Sequence, residues 1–203
     1  MEVSDREHSV SMQKAIALAR ENPRAPFGTV MVDRRTNGRV ASGINQSHEN
    51  PTRHAEIVAI NDYAAQGGTD WDQLILYTTA EPCSMCQGAI LWSGIRHIVY
   101  GTSISRLMEL GWRQIDISAQ EVIARSWATE AVVVGGVHRV ECDQLFEAAK
   151  KVDCSRNKSN ALADQDPPDR WSTTIPSLTS FLMKRSKWWF LRRPVALCRR
   201  RRS

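Results

Sequence analysis

The chain opens on a stretch that reads as a helix, polar at its start and rich in good helix formers towards its end. Residues 5–22 carry Ala15, Ile16, Ala17, Leu18 and Ala19 among polar neighbours, and Ser4 and Glu7 stand three apart, as in a capping box. Pro23 and Pro26 close the run. Two short apolar runs follow, 27–33 and 39–44, separated by Thr36-Asn37-Gly38, and this pattern predicts a β-hairpin. A polar loop from Asn45 to Thr52 leads into a second predicted helix over 54–66, with Ile57, Ile60 and Ala64 on one face. Strand 73–79, a helix from Pro82 to Trp92 stopped by Gly94, strand 97–101, helix 118–127, strand 131–134 and helix 139–152 complete the pattern. Helices alternating with strands after one hairpin predict an α/β layered sheet, mostly parallel beyond the hairpin.

Past Asp153 the periodicity stops. Residues 154–174 are polar and hold Pro167-Pro168, and residues 175–203 mix arginine runs with Trp188, Trp189 and Phe190. The expected organisation is a domain over 1–153 followed by a basic, Trp/Arg-containing tail over 154–203 that lies outside the fold. That tail reads as a disordered extension, as a basic-aromatic anchor for membrane or nucleic acid, or as a segment without selected function.

Charge changes the picture. The net charge of +5 divides unevenly: residues 184–203 hold 9 Lys+Arg and no acid, whereas residues 1–183 hold 18 Lys+Arg against 22 Asp+Glu. The body is mildly acidic, which speaks against a nucleic-acid-binding fold surface. At 42% apolar and 24% charged residues the composition is that of a globular chain, not a disordered one. No apolar run approaches the ~20 residues of a spanning helix. The acidic, polar opening MEVSDREHS does not resemble a secretory leader, and five scattered cysteines suit a reducing compartment, so a cytoplasmic location is expected.

Two short motifs carry chemistry. His54-Ala55-Glu56 opens the second predicted helix, and Pro82-Cys83-Ser84-Met85-Cys86 opens the third. Either alone is weak, but both together, each at a helix start, have a chance expectation on the order of one in a thousand. A catalytic zinc takes three protein ligands and leaves one position open. Cys83 and Cys86, one turn apart at a helix N-terminus that favours thiolates, supply two ligands, and the His54 imidazole supplies the third. Glu56, two residues from His54, points into the same site without binding metal, where a proton shuttle is wanted. The backbone N–H groups of Ala55 and Cys83 are candidate donors to a developing oxyanion. The bland alternative for Cys83 and Cys86 is a redox dithiol, which would need neither His54 nor Glu56. His8, His48, His97 and His138 have no motif context and read as structural or surface residues, and Cys142, Cys154 and Cys198 read as spare thiols.

These motifs resemble those of the cytidine deaminase superfamily. Pro26-Phe27-Gly28-Thr29-Val30, Asn45, Asn50-Pro51-Thr52, Thr79-Ala80-Glu81 and Gly88-Ala89-Ile90 extend the similarity to its nucleobase and purine-nucleoside branch, which includes guanine deaminases and tRNA adenosine deaminases. The resemblance spans roughly residues 5–152. It implies a three-layer α/β/α fold with a five-stranded mixed sheet, a homodimer, one zinc per chain and hydrolytic removal of an exocyclic amine from a small-molecule purine substrate. It also implies Asn45 as a substrate hydrogen-bonding residue, although a turn residue after a strand is the plain reading. Phe27 and Trp92 resemble guanine deaminase positions and are expected at the substrate, with core packing as the alternative. Guanine deaminases tend to place an acid after the fourth strand to read the purine amino edge. This chain has Leu110-Gly111-Trp112-Arg113 there, so Glu109, Asp116, Glu141 and Asp143 are the candidates for that task. The implied activity is zinc-dependent deamination of a purine base or nucleoside, guanine-like first. The alternatives are adenosine-to-inosine deamination in a tRNA anticodon loop and a catalytically silent zinc-binding subunit, the latter opposed by the intact Glu56.

Overall fold

The computed structural model describes residues 4–160, with side chains for residues 4–152. Six α-helices and five strands are described: α1 (Asp5–Ala19), β1 (Gly28–Asp33), β2 (Gly38–Ile44), α2 (Ala55–Ala65), β3 (Leu74–Ala80), α3 (Ser84–Ser93), β4 (His97–Thr102), α4 (Ile104–Glu109), α5 (Ala119–Ala124), β5 (Val132–Val134) and α6 (Arg139–Asn160). Helix α6 runs past the boundary expected at Asp153, and the basic stretch from 161 onward lies outside the described residues.

The strands form one sheet in the order β2-β1-β3-β4-β5. β1 is antiparallel to both β2 and β3, while β3, β4 and β5 run parallel. The mixed five-stranded sheet of the α/β reading is therefore present. Successive strand residues point to opposite faces, and both faces are apolar. Val30, Val32, Ile75, Tyr77 and Val99 pack with Met12, Ala15 and Ile16 of α1 and Cys142 of α6. Met31, Leu74, Leu76 and Ile98 pack on the other side with Ala59 and Tyr63 of α2 and Ile90 of α3. Burying a Val, Leu or Ile side chain is worth ~1.5–3 kcal/mol, so two filled faces make this three-layer stack the stable solution.

Helix α1 begins with the expected capping box: the Ser4 side chain accepts from the Glu7 N–H while the Glu7 carboxylate accepts from the Ser4 N–H. Gly94, at φ 102°, ends α3 in the left-handed conformation that glycine takes freely. The face of α2 differs from the expectation. Its buried residues are Ala55, Glu56, Ala59 and Tyr63, whereas Ile57 and Ile60 are half-buried and Ala64 is exposed. Close approach explains this. A Cβ on Gly43 of β2 would lie 2.1 Å from the Ala55 carbonyl and 2.7 Å from the Ala59 nitrogen, so helix and strand meet through their smallest residues. Larger aliphatic residues on that face would push α2 away from the sheet. The short helix α4 and a 3-10 turn at Trp71–Gln73 had no periodic signal to announce them.

Candidate active site

β2 and β3 point the same way, because each is antiparallel to β1. Their ends therefore deliver the N-termini of α2 and α3 to one edge of the sheet. His54 is the N-cap residue of α2 and Cys83 the N-cap residue of α3, both with extended backbone and neither making a side-chain capping bond. A cap position ordinarily holds Ser, Thr, Asp or Asn to satisfy the first-turn amides. Here that side chain is turned to a neighbour instead. The His54 Nδ1 lies 3.6 Å from the Cys83 Sγ and 3.5 Å from the Cys86 Sγ.

The three donor atoms lie within 4.8 Å of one another and form the group of metal-ligating side chains found among the described residues. The edge between N and S in a tetrahedron with Zn–S ~2.3 Å and Zn–N ~2.0–2.1 Å is about 3.6 Å, and the observed separations match it. Imidazole with two thiols is also a zinc donor set, and two thiolates offset a 2+ charge. The residues fit the ion. The Cys83 thiol is brought down to about 4, first by a hydrogen bond with Cys86 and then by His54, against the opposing effect of burial. Cys86 is pushed up by the same Cys83 contact and by burial. Of the two thiols at the N-terminus of α3, Cys83 is thus the more acidic.

Glu56 is 4% exposed, and its Oε1 accepts from the Thr78 hydroxyl at 3.2 Å. Burial raises its carboxyl above the ordinary carboxylate range. A cavity of about 330 Å³ lies against His54, Glu56 and Cys83. Phe27 and Trp112 line it as aromatic walls, in edge contact with ring centres 5.4 Å apart, and Phe146 backs both at 4.9 and 5.7 Å. Phe27 is therefore at once a wall of the cavity and packed on the Ala80, Leu107 and Phe146 cluster. Asn45 also lines the cavity; it is buried, gives its Nδ2 to Ser47 at 3.0 Å, and is held by its own N–H to the Phe27 carbonyl.

A model of the cytidine and deoxycytidylate deaminase zinc-binding region matches residues 5–102. The chain is 34% identical over 127 residues to guanine deaminase of Bacillus subtilis, covering 56% of this chain and 80% of that one. It is 36% identical over 151 residues to tRNA-specific adenosine deaminase 2 of Xenopus tropicalis, covering 69% and 86%. This chain belongs to the cytidine and deoxycytidylate deaminase family. Against another curated relative it spans only 59% of the length. A solved guanine deaminase from Nitrosomonas europaea superposes with a TM-score of 0.60 at 25% identity, covering 70% of this chain and 84% of that one.

Within this deaminase fold, the expected residues are not all brought together. His54, Ala55, Glu56, Cys83 and Cys86 converge, and Asn45 and Phe27 join them at the cavity. Ala55 is the first residue of α2, so its N–H belongs to the first turn, which has no intrahelical acceptor. Trp92 is elsewhere. It is 77% exposed at the far end of α3 and packs against Trp127 with the rings tilted by 55° and their centres 4.3 Å apart, so neither substrate contact in this cavity nor core packing describes it. About one and two-thirds α-helical turns separate it from Cys86, which turns it away from the ligand face.

None of the four carboxylates expected to read a base edge lines the cavity. Glu109 pairs with Arg106 at 3.0 Å, and Glu141 pairs with Arg20 at 2.8 Å. Asp143 accepts from the Thr102 hydroxyl at 2.7 Å and faces Arg106 and Arg139. Asp116 is exposed and does not line the cavity. The cavity instead holds Glu81, Trp112, Arg113, Gln114 and Lys150, which the sequence pattern did not single out as site residues. Glu81 is 6% exposed, and its two oxygens accept from the N–H groups of Ile104 and Ala119, each at 2.9 Å. These are the first residues of α4 and α5, so one buried carboxylate clamps both ends of the stretch that carries Trp112, Arg113 and Gln114. The sequence signal available was Thr79-Ala80-Glu81 directly before Pro82, but nothing in it named the two amides.

Proposed function

We propose that the chain is a zinc-dependent hydrolytic deaminase of a purine base or nucleoside, guanine-like first. The observation that carries this reading is Glu56, a buried proton carrier beside a zinc-spaced His54/Cys83/Cys86 set, at a cavity with aromatic walls. Zinc held by those three side chains supplies the Lewis acidity that makes water acidic near neutral pH. Thr78 fixes the Glu56 Oε1, which leaves Oε2 to take a proton from the attacking water and deliver it to the ring nitrogen. The raised carboxyl pKa suits a group that must be protonated and deprotonated in one turnover. Glu56 then protonates the departing amine, so one water is consumed, the bond from the ring carbon to the exocyclic nitrogen is replaced by C=O, and ammonia leaves. Ala55 and Cys83, at two helix starts, offer N–H groups to the developing oxygen. Phe27 and Trp112, in contact with one another, give a planar base an apolar wall to pack on, and Asn45 offers it a polar contact.

A homodimer with one zinc per chain is part of the same reading. A second reading, deamination of adenosine within an RNA loop, draws on the likeness to the Xenopus tropicalis enzyme. The discriminating experiment is ammonia release from guanine, guanosine, adenine, adenosine, cytosine, cytidine and an anticodon stem-loop, using zinc-loaded protein. Turnover of a free purine or its nucleoside supports the first reading. Turnover of the stem-loop alone supports the second, and release from cytosine or cytidine alone overturns both.

A further inference from the structure

The outer wall of the cavity has a charge pattern that a bare purine does not need. Arg113 and Lys150 both line it, and neither has a carboxylate within ion-pairing distance among the described residues. The neighbouring Arg106 is different: Glu109, Asp143 and Glu147 surround its guanidinium at 3.0, 3.6 and 2.6 Å. The carboxylates lining the cavity are Glu56 and Glu81. Both oxygens of Glu81 are occupied by backbone amides, and Glu56 is buried beside the metal ligands. Neither is available to neutralise the outer cations. Lys150 holds its Nζ 4.6 Å from the centre of the Trp112 ring, so the ammonium is fixed over a wall of the cavity instead of trailing into solvent. Gln114 adds a neutral amide on the same stretch. The inner cavity is matched to a flat heterocycle, and the outer wall presents donors and positive charge.

We propose that Arg113 and Lys150 form an anion subsite that holds a phosphate attached to the sugar of the substrate purine, so that phosphorylated nucleosides are preferred to unphosphorylated ones. The inference rests on the purine deaminase reading above. Guanidinium binds phosphate in a two-pronged geometry, and ammonium acts as a point charge beside it. Arg113 comes from the loop after α4 and Lys150 from α6, so cations from two different elements border the same cavity. A cavity of about 330 Å³ has room for more than a base. The phosphate has two sources, a free nucleoside monophosphate or a phosphodiester in an RNA strand.

Two measurements on the full chain test this separately from turnover. The first is calorimetric binding of guanosine, guanosine 5′-monophosphate and adenosine 5′-monophosphate to zinc-loaded Glu56→Ala protein at two salt concentrations. At least tenfold tighter binding of a monophosphate than of its nucleoside is expected, weakening as salt rises. Arg113→Gln/Lys150→Met, made in that background, is expected to abolish the tenfold difference while zinc content and melting temperature hold. The second is kcat/KM for nucleoside, monophosphate and an RNA stem-loop. Monophosphate preference identifies the small-molecule source, and stem-loop preference identifies the phosphodiester. Equal binding of nucleoside and monophosphate, or a preference that survives the double substitution, overturns the subsite. Tight, salt-sensitive monophosphate binding without ammonia from any substrate upholds the subsite and overturns the deaminase reading instead.

Discussion

Residues 5–102 and residues 103–160 contribute to one cavity in different ways. The first region holds the His54, Cys83 and Cys86 cluster and the buried Glu56, on two helix starts delivered by two strands that run the same way. It is also the region matched by the deaminase zinc-binding model. The second region supplies no metal-ligating side chain to the cluster and instead builds walls: Trp112, Arg113 and Gln114 after α4, and Phe146 and Lys150 on α6. Reaction chemistry requires a few atoms at fixed separations, so it tolerates little change. Substrate choice depends on which side chains face the remote parts of the ligand, and loops after short helices can change these without moving the metal. Glu81 joins the two regions. It sits one residue before Pro82 in the first and takes its hydrogen bonds from Ile104 and Ala119 in the second.

The largest effects should fall in the first region. Glu56→Ala should keep the fold and the zinc but lower kcat by ~10²–10⁴-fold or more, since general acid–base help of that size enters more than one step. Cys86→Ala should lose zinc outright, read by metal analysis of the purified protein. Near-normal turnover of zinc-replete Glu56→Ala would break the division of labour, because the first region would then not hold the proton carrier.

An intermediate effect is expected at the joint. Glu81→Gln keeps one acceptor but sets an amide NH2 against the other backbone N–H. Hydrogen bonds to charged groups are worth about 1.5–3 kcal/mol, and a domain of this size loses roughly 2–4 °C of melting temperature per kcal/mol. Scanning calorimetry should show a fall of several degrees. Kinetics should show KM for the purine rising more than kcat falls, because the Trp112–Gln114 wall shifts while Glu56 stays in place. Equal losses in kcat and kcat/KM with KM unmoved would mean that Glu81 acts on the reactive groups themselves.

The smallest effect belongs to the other end of the sheet. A larger cavity of about 760 Å³ lies there, lined by His8, Arg34 and His97 among others. It holds no cysteine, and its histidines are engaged: the His8 Nδ1 lies 3.0 Å from the Tyr77 hydroxyl and the His97 Nε2 3.1 Å from the Arg34 guanidinium. Burial, and then Arg34, holds the His97 imidazole below its ordinary pKa. The unfolded chain therefore takes up this proton first as pH falls. The stability that neutral His97 contributes is present above about pH 6.5, the unfolded value, and is lost as pH falls through its folded pKa. His97→Asn should flatten the decline in melting temperature below pH 6.5 by a small amount and leave kcat unchanged. A drop in kcat would tie this end of the sheet to the reaction.

The sequence by itself determined the five strands, the helices other than α4, and the two motifs whose side chains meet at the cavity. Strand alternation such as Val30/Met31/Val32 and Ile75/Leu76/Tyr77 states which residues go to which layer, because a pleated strand has a period of two. His54-Ala55-Glu56 and Cys83–Cys86 were legible because each motif is local: its members lie within one turn of one helix start, and only the pairing of the two starts is long-range. Tertiary structure decided the rest. The small-residue face of α2 depends on how closely Gly43 lets the helix approach, and periodicity does not encode that distance. Trp92 stood near the motif in sequence yet turns outward at the far end of α3, since nearness along a helix is not nearness in space. Glu81, the adjacent Trp112 and Arg113, and Lys150 reach the cavity from three stretches separated by tens of residues. No local pattern marks a side chain whose partners arrive from elsewhere in the chain, so the walls of the site, and with them its selectivity, exist only once the sheet has folded.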